Sequence, residues 1–301
     1  MTGSPATNEY DATMNVADKI DLEALSYARC GDNKAERAFI RGIENISGRK
    51  KMIRKLNGYE QELASGKTFW EALWDRFGLS LDLRGEGFDG IPKEGPLVCV
   101  ANHPFGILDG FALSLILAKV RPDFKILSNQ WLVPVPEIMH HILPIDREPT
   151  REAMQTNLQT RRSALKTLRE GGCVSVFPAG TVSASRRVYQ PAFDAHWKTF
   201  TASLIQMTGA RVTPIFFDGQ NSRLFQIACH LSETLRLALF VNEFERRLGK
   251  PVSVTVGNPI EPDELMPFQR RPQEMMEYLR SRTYSLSPDF VNTLTAGKPW
   301  G

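Results

Sequence analysis

The sequence is poor in the features that most readily betray a function. Its 301 residues hold only four cysteines, Cys30, Cys99, Cys173 and Cys229. They form no CxxC pair and have no histidine at zinc spacing, so neither a disulfide framework nor a metal site is expected. His140, His141 and His230 stand without acidic or thiol neighbours at ligand spacing and read as packing or surface histidines. There is no GxSxG elbow, no Walker loop and no HExxH, which removes the simplest hydrolase, nucleotidase and metalloprotease readings. No window reaches the roughly eighteen uninterrupted apolar residues of a membrane-spanning helix. The net charge of +3 is too small to point to nucleic acid, so no nucleic-acid partner is expected. The opening residues, MTGSPATNEYDATMN, have no basic stretch followed by an apolar core. They read as a disordered tail over 1–15 rather than a secretory signal.

What is present is enough apolar residue, 42% of the chain, to build one substantial core. Residues 16–79 read as an N-terminal helical segment, with Phe39, Ile43, Ile46, Ile53, Leu56 and Leu63 recurring at helical spacing across a break near Ser47-Gly48. Within it, RKKMIRK at 49–55 is five-sevenths basic. That segment fits either an ordinary solvated helix face or a cationic helix lying at a lipid surface.

Residues 80–301 carry short apolar runs that alternate with amphipathic helices, predicting an α/β domain with a mixed, largely parallel central sheet flanked by helices. The runs are LVCVA (97–101), FKILS (124–128), ILPI (142–145), CVSVF (173–177), VTPIFF (212–217) and VSVTV (252–256). Cys99 and Cys173 lie inside such runs and are expected as reduced, buried thiols facing a cytosolic compartment. A helix over 151–170 places Met154, Leu158, Leu165 and Leu168 on one core-facing stripe before Gly171-Gly172 ends it. The literal GxGxxG at Gly85, Gly87 and Gly90 is followed by IPKEGP, which leaves no room for the helix a dinucleotide site requires, so it reads as a turn.

The stretch VCVANHPFGILDG puts Asn102 and His103 at the carboxyl end of a strand, where α/β sheets place their ligands. Asp109 lies six positions after His103, on a different face of any continuous helix. Pro104 and Gly106 allow a bend that folds the imidazole onto the carboxylate, giving a general-base dyad. The alternative at this point is an aspartate that caps the following helix beside an incidental histidine.

Three further blocks follow: LPIDR at 143–147, FPAGTVS at 177–183, and VTPIFF with Val212 and Pro214. Together with ANHPFGILDG they resemble the four blocks of the glycerolipid acyltransferase superfamily, the 1-acylglycerol-3-phosphate or lysophospholipid acyltransferase type. Two departures stand out. Five residues separate His103 from Asp109 where the commoner form has four. The third block has Ala179 and Val182 where Glu and Arg are usual. The NHPxGxxDG form, with WKTF at 197–200 and FFDGQNSRLF at 216–225, is similar to the branch containing hemolysin-like and ornithine-lipid-associated acyltransferases.

The resemblance implies an O-acyltransferase that moves a fatty acyl group from acyl-CoA or acyl-carrier protein to a lysolipid hydroxyl, with no further cofactor. His103 would be the base and Asp109 its partner. Asn102, Gly106, Arg147, Phe177, Pro178, Gly180, Thr181 and Ser183 would form the substrate site. Backbone amides near Gly106 and Gly180 would stabilise the oxyanion. Arg147 would hold an anionic group or, alternatively, pair with Asp146. Thr181 and Ser183 would contact acceptor or cap a helix. A cytoplasmic enzyme peripheral to the inner membrane face is expected, against two alternatives: a thioester or lipid hydrolase using the same dyad, and a non-catalytic lipid-binding relative.

Overall fold

The apolar runs assemble into one seven-stranded sheet in the order β1-β9-β8-β2-β5-β3-β4. The computed structural model describes residues 26–31, 33–129, 137–146 and 148–289; the expected tail over 1–15 and Arg147 lie outside these. In chain order the strands are β1 (Ser80–Gly85), β2 (Leu97–Ala101), β3 (Lys125–Asn129), β4 (Ile142–Ile145), β5 (Cys173–Val176), β6 (Ala184–Ser185), β7 (Ala192–Phe193), β8 (Arg211–Phe217) and β9 (Pro251–Val256). All neighbours in the sheet run parallel except β8 and β9, so β1 and β9 point against the other five. β6 and β7 form a separate two-residue ribbon. The sheet is mixed and largely parallel, as the pattern predicts.

The helices are α1 (Lys34–Ser47), α2 (Arg49–Leu56), α3 (Glu60–Ala64), α4 (Phe69–Phe77), α5 (Ile107–Val120), α6 (Arg151–Arg169), α7 (Phe200–Thr208), α8 (Arg223–Leu231), α9 (Glu233–Arg247), α10 (Pro262–Leu265) and α11 (Pro272–Tyr284). The alternation of side chains along β2 divides them into two layers. Leu97, Cys99 and Ala101 pack with residues of α4, α5 and α9. Val98 and Val100 pack with α6, α7 and α11. A strand buried on both faces reads as an unbroken apolar run, which is why LVCVA was visible. Cys99 and Cys173 are free, buried thiols on adjacent strands, their sulfurs 3.9 Å apart.

The N-terminal helices share this core. In α4, Thr68 and Glu71 form a reciprocal cap at the start, and Trp70, Leu73, Trp74 and Phe77 are buried. Trp74 stacks on Phe111 of α5 and Phe77 meets Phe244 of α9 edge-on, with centroids 5.7 and 5.0 Å apart. Burial of each such side chain contributes on the order of 2 kcal/mol. The basic segment of α2 also turns its apolar side inward: Leu56 is buried and Met52 packs against the core. Its cations are largely tied down, Arg49 by burial, Lys51 to Glu245 at 2.5 Å and Lys55 to the Arg76 carbonyl at 3.0 Å.

Two expectations need correcting. On α6 the stripe holds only at Leu165 and Leu168, whereas Met154 and Leu158 are 65% and 49% exposed. The helix lays Ala153, Asn157, Thr160 and Ala164 toward the edge strand β4. Asn157 donates to the Asp146 carbonyl at 2.7 Å and Thr160 to the Pro144 carbonyl. Those polar anchors set the rotation and turn the first two apolar residues outward. On α1, likewise, Phe39 and Ile46 are exposed while Ile40 is buried. The buried Glu44 accepts from Ser26 and from the Tyr27 amide, drawing that neighbouring face inward.

At the amino ends of the strands, Arg121 is 1% exposed and gathers three loops. It donates to the carbonyls of Pro92 and Gly95 ahead of β2, to that of Gly171 ahead of β5, and to Asp123 ahead of β3. The opposite, carboxyl ends of β2, β3, β4, β5 and β8 remain for other use.

Candidate active site

β2 delivers Asn102 and His103 between the carboxyl ends of β5 and β8. Asn102 is buried and mimics a backbone unit: its amide donates to the Phe217 carbonyl at 2.9 Å, and its carbonyl accepts from the Phe217 N–H at 2.7 Å. It extends the β2–β8 ladder by one step. Pro214, in the middle of β8, falls where the β9 pairing stops, and its carbonyl accepts from Gly257 at 2.9 Å. That gap lets a proline sit in an interior strand.

Beyond His103 the chain bends at Gly106, with φ +86°. That conformation favours glycine, and a Cβ here would lie 3.0 Å from the Phe240 ring. Helix α5 then starts, and Asp109 in its first turn faces back. A single oxygen of Asp109, Oδ2, accepts from the amides of Phe105 and Gly106 at 2.8 and 2.9 Å and meets Nδ1 of His103 at 2.9 Å. The helix cap and the histidine partner, separate alternatives in the sequence, are the same carboxylate. Asp109 is fully buried. Burial pushes its pKa above the usual carboxylate range, while the bonds from His103 and the two amides oppose that rise. With Nδ1 donating to Asp109, Nε2 is left to take a proton from a molecule in front of the ring. The ring is fixed from the side by stacking on Phe177, centroids 4.1 Å apart.

A second buried carboxylate, unforeseen in the sequence, holds the main chain of this histidine. Asp194 accepts from the His103 N–H at 3.1 Å, from the Ser183 hydroxyl at 2.5 Å and from Nε1 of Trp197 at 2.9 Å. Ser183 in turn donates its amide to the His103 carbonyl at 2.8 Å. Burial pushes the Asp194 pKa up, against these donors. The one available signal was an acid set in the apolar stretch AFDAHW, with a buried tryptophan as its donor.

A cavity of about 1260 Å³ opens at the dyad. His103, Gly106, Phe177, Pro178, Gly180 and Thr181 line it, together with Ile107, Gly110, Phe111 and Ser114 along one face of α5. Leu56, Phe69, Trp70 and Leu73 close the far side. Asn102 and Ser183 are not in the lining; their polar atoms are engaged with Phe217 and Asp194. The expected oxyanion donors are also committed, Gly106 N–H to Asp109 and Gly180 N–H to the Phe177 carbonyl, each at 2.9 Å. Among the described residues no group of three or more His, Cys, Asp or Glu side chains is placed to hold a metal ion.

Residues 51–297 match the model of a family described as acyltransferase. The chain belongs to that acyltransferase family. This acyltransferase is 26% identical over 234 residues to a lyso-glycine lipid O-acyltransferase of Phocaeicola vulgatus, covering 73% of this chain and 78% of that protein. It is 28% identical over 234 residues to a protein of the same name from Bacteroides thetaiotaomicron, covering 73% and 80%. A crystal structure of the 1-acyl-sn-glycerophosphate acyltransferase PlsC from Thermotoga maritima aligns over 86% of this chain and 85% of that one, at 16% identity and a TM-score of 0.45. The acyltransferase is thus an enzyme of acyl-group transfer. No helix among its described residues is long and apolar enough to cross a membrane.

Proposed function

We propose that this acyltransferase moves a fatty acyl group from a thioester carrier, acyl-CoA or acyl-carrier protein, to the hydroxyl of a lysolipid acceptor. The observation that carries this reading is the 2.9 Å contact between His103 Nδ1 and Asp109 Oδ2 at the mouth of a large, partly apolar cavity. The thioester is already activated, so one attack suffices. Nε2 of His103 takes the acceptor's hydroxyl proton as the oxygen bonds to the thioester carbonyl. The C–S bond then breaks, and the departing thiolate recovers the proton from the imidazolium. Asp109 stabilises that imidazolium and holds the ring in its tautomer. General-base assistance of this type is worth about 10²- to 10⁴-fold in rate.

The apolar arm along α5 suits an acyl chain. The relatives' names favour a lipid acceptor. Peripheral contact with the inner face of a membrane is part of the reading. Leu224, Ile227 and Leu231 form an exposed apolar stripe on α8, which ends two residues before the cavity-lining Glu233.

The test is to incubate labelled acyl-CoA or acyl-carrier protein with a panel of lysolipids, using wild type and His103→Ala. Label in a diacyl product with wild type alone supports the reading. Label released only as free acid would replace it with a hydrolase, and equal transfer by His103→Ala would remove the dyad.

A further inference from the structure

Asp109 takes all three of its hydrogen bonds on one oxygen, and its other oxygen, Oδ1, is buried without a hydrogen-bond partner. Burial works against the charge of this carboxylate, and the bonds from His103 and the two amides are the first to oppose it. One more cation stands behind them. Arg247, the last residue of α9, holds its guanidinium over the ring of Phe105, 4.3 Å from the centroid. Phe105 is the residue whose amide donates to Asp109 at 2.8 Å. Its ring is closely confined, since a Cβ at Gly219 would come within 2.8 Å of it.

Among the described residues no carboxylate forms a salt bridge with this guanidinium. Its Nε is buried without a partner, and Nη2 reaches the Pro251 carbonyl only at 3.5 Å. Burial lowers its pKa, and three acids oppose that through space, Asp109 first and then Asp218 and Glu243. The last two have other partners. Asp218 lies 3.8 Å from Arg84, and Glu243 accepts from the Ser222 amide and hydroxyl at 2.7 and 2.5 Å. We infer that Arg247 is a positioning residue of the dyad: its charge, held on the Phe105 ring, keeps Asp109 ionised and thereby the acceptor for the Nδ1 hydrogen of His103. A proton on Asp109 would be donated to Nδ1 instead, leaving the hydrogen on Nε2 and no base facing the cavity. Direct contact is not needed, because buried charges are screened far less than exposed ones. The consequence for turnover rests on the acyl-transfer reading above; the ionisation itself does not.

The experiment compares full-length wild type with Arg247→Gln, Arg247→Met and Arg247→Lys in two pH titrations. One follows the imidazole Cε1 proton of His103 by NMR without substrate, the resonance being assigned by its loss in His103→Ala. The other follows kcat/KM for acyl transfer from labelled acyl-CoA or acyl-carrier protein to a lysolipid. The charged groups around the imidazole are Asp109, Asp194 and, through Asp109, Arg247, so what is read is the midpoint of a coupled titration. Removing a cation favours proton uptake, and both neutral variants are expected to raise the midpoint by about half a pH unit or more, with Arg247→Lys returning most of the way. An unmoved midpoint in folded Arg247→Gln would overturn the role, and so would an equal rise in Arg247→Lys. Lost unfolding free energy with no change in midpoint would also overturn it, by making Arg247 a packing residue only. A midpoint raised in the NMR titration, with no acyl transfer by wild type to any lysolipid, keeps the role of Arg247 and rejects the transferase. Transfer with the midpoint unmoved keeps the transferase and rejects the role.

Discussion

Asn102 exchanges two hydrogen bonds with the backbone of Phe217, 2.7 and 2.9 Å long, across 115 positions of sequence. This residue directly precedes the histidine of the dyad, so the tie fixes where His103 begins. Asn102→Ala leaves a buried N–H and a buried carbonyl without partners, each costing about 1–3 kcal/mol. Chemical denaturation is expected to show a loss of about 2–6 kcal/mol. Asn102→Asp keeps the acceptor, loses the donor, and is expected to fall between Ala and wild type.

Asp109→Asn retains the size and one acceptor oxygen but removes the charge that stabilises the imidazolium. Turnover is expected to drop by about 10²- to 10⁴-fold. Circular dichroism should show a folded protein. A variant within a few-fold of wild type would show that the carboxylate serves only the helix start.

Asp194→Ala strips three buried donors of their acceptor, those of His103, Ser183 and Trp197. A loss of about 3–5 kcal/mol in unfolding free energy is expected. If Asp194 positions His103 as well, the folded protein has a lower kcat at an unchanged acceptor KM, which a purely structural role would not give.

His141 supplies a pH dependence. Its ring stacks on Phe124, centroids 4.1 Å apart, and burial pulls its pKa down to about 4. The unfolded chain, with an ordinary value of about 6.5, then binds more protons than the native one between pH 6.5 and 4. Stability is thus full above about pH 6.5 and is lost as pH falls toward 4, by about 1–3 kcal/mol, because water still reaches part of the ring. Thermal melts across this window should flatten in His141→Phe relative to wild type.

Gly110 lines the cavity from near the start of α5, and a Cβ there meets nothing within 4 Å. Gly110→Ala is expected to stabilise the helix by about 0.5–1 kcal/mol. Gly110→Leu fills the channel, and kcat/KM for a long-chain donor should fall relative to a short-chain donor. Equal effects on both lengths would place the chain elsewhere.

The central strands were legible because they are buried on both faces, as in LVCVA and CVSVF. β1 was missed because it is a sheet edge: its Asp82 and Arg84 are half-exposed and pair with each other at 2.5 Å, which breaks the apolar run. β6 and β7, two residues each, are too short to carry a pattern. The dyad could be read because both members lie within one bend. Asp194 could not, since its bond to His103 spans 91 positions and nothing local marks it. That the Ser183 hydroxyl and the Gly106 and Gly180 amides are engaged within the protein was hidden for a related reason. A motif shows which residues belong together, but not which hydrogen bonds the fold has already used.

The Arg121 cluster at the amino ends of the strands gives the enzyme two ends of unequal tolerance to redesign. One buried guanidinium satisfies carbonyls from the loops before β2 and β5, so sequence changes there act through the whole sheet. The loops at the other end, which line the cavity beside His103, contribute none of these bonds. A library confined to residues 178–182, around the cavity wall, therefore leaves the sheet end organised by Arg121 intact, making this chain a workable chassis for varying that wall.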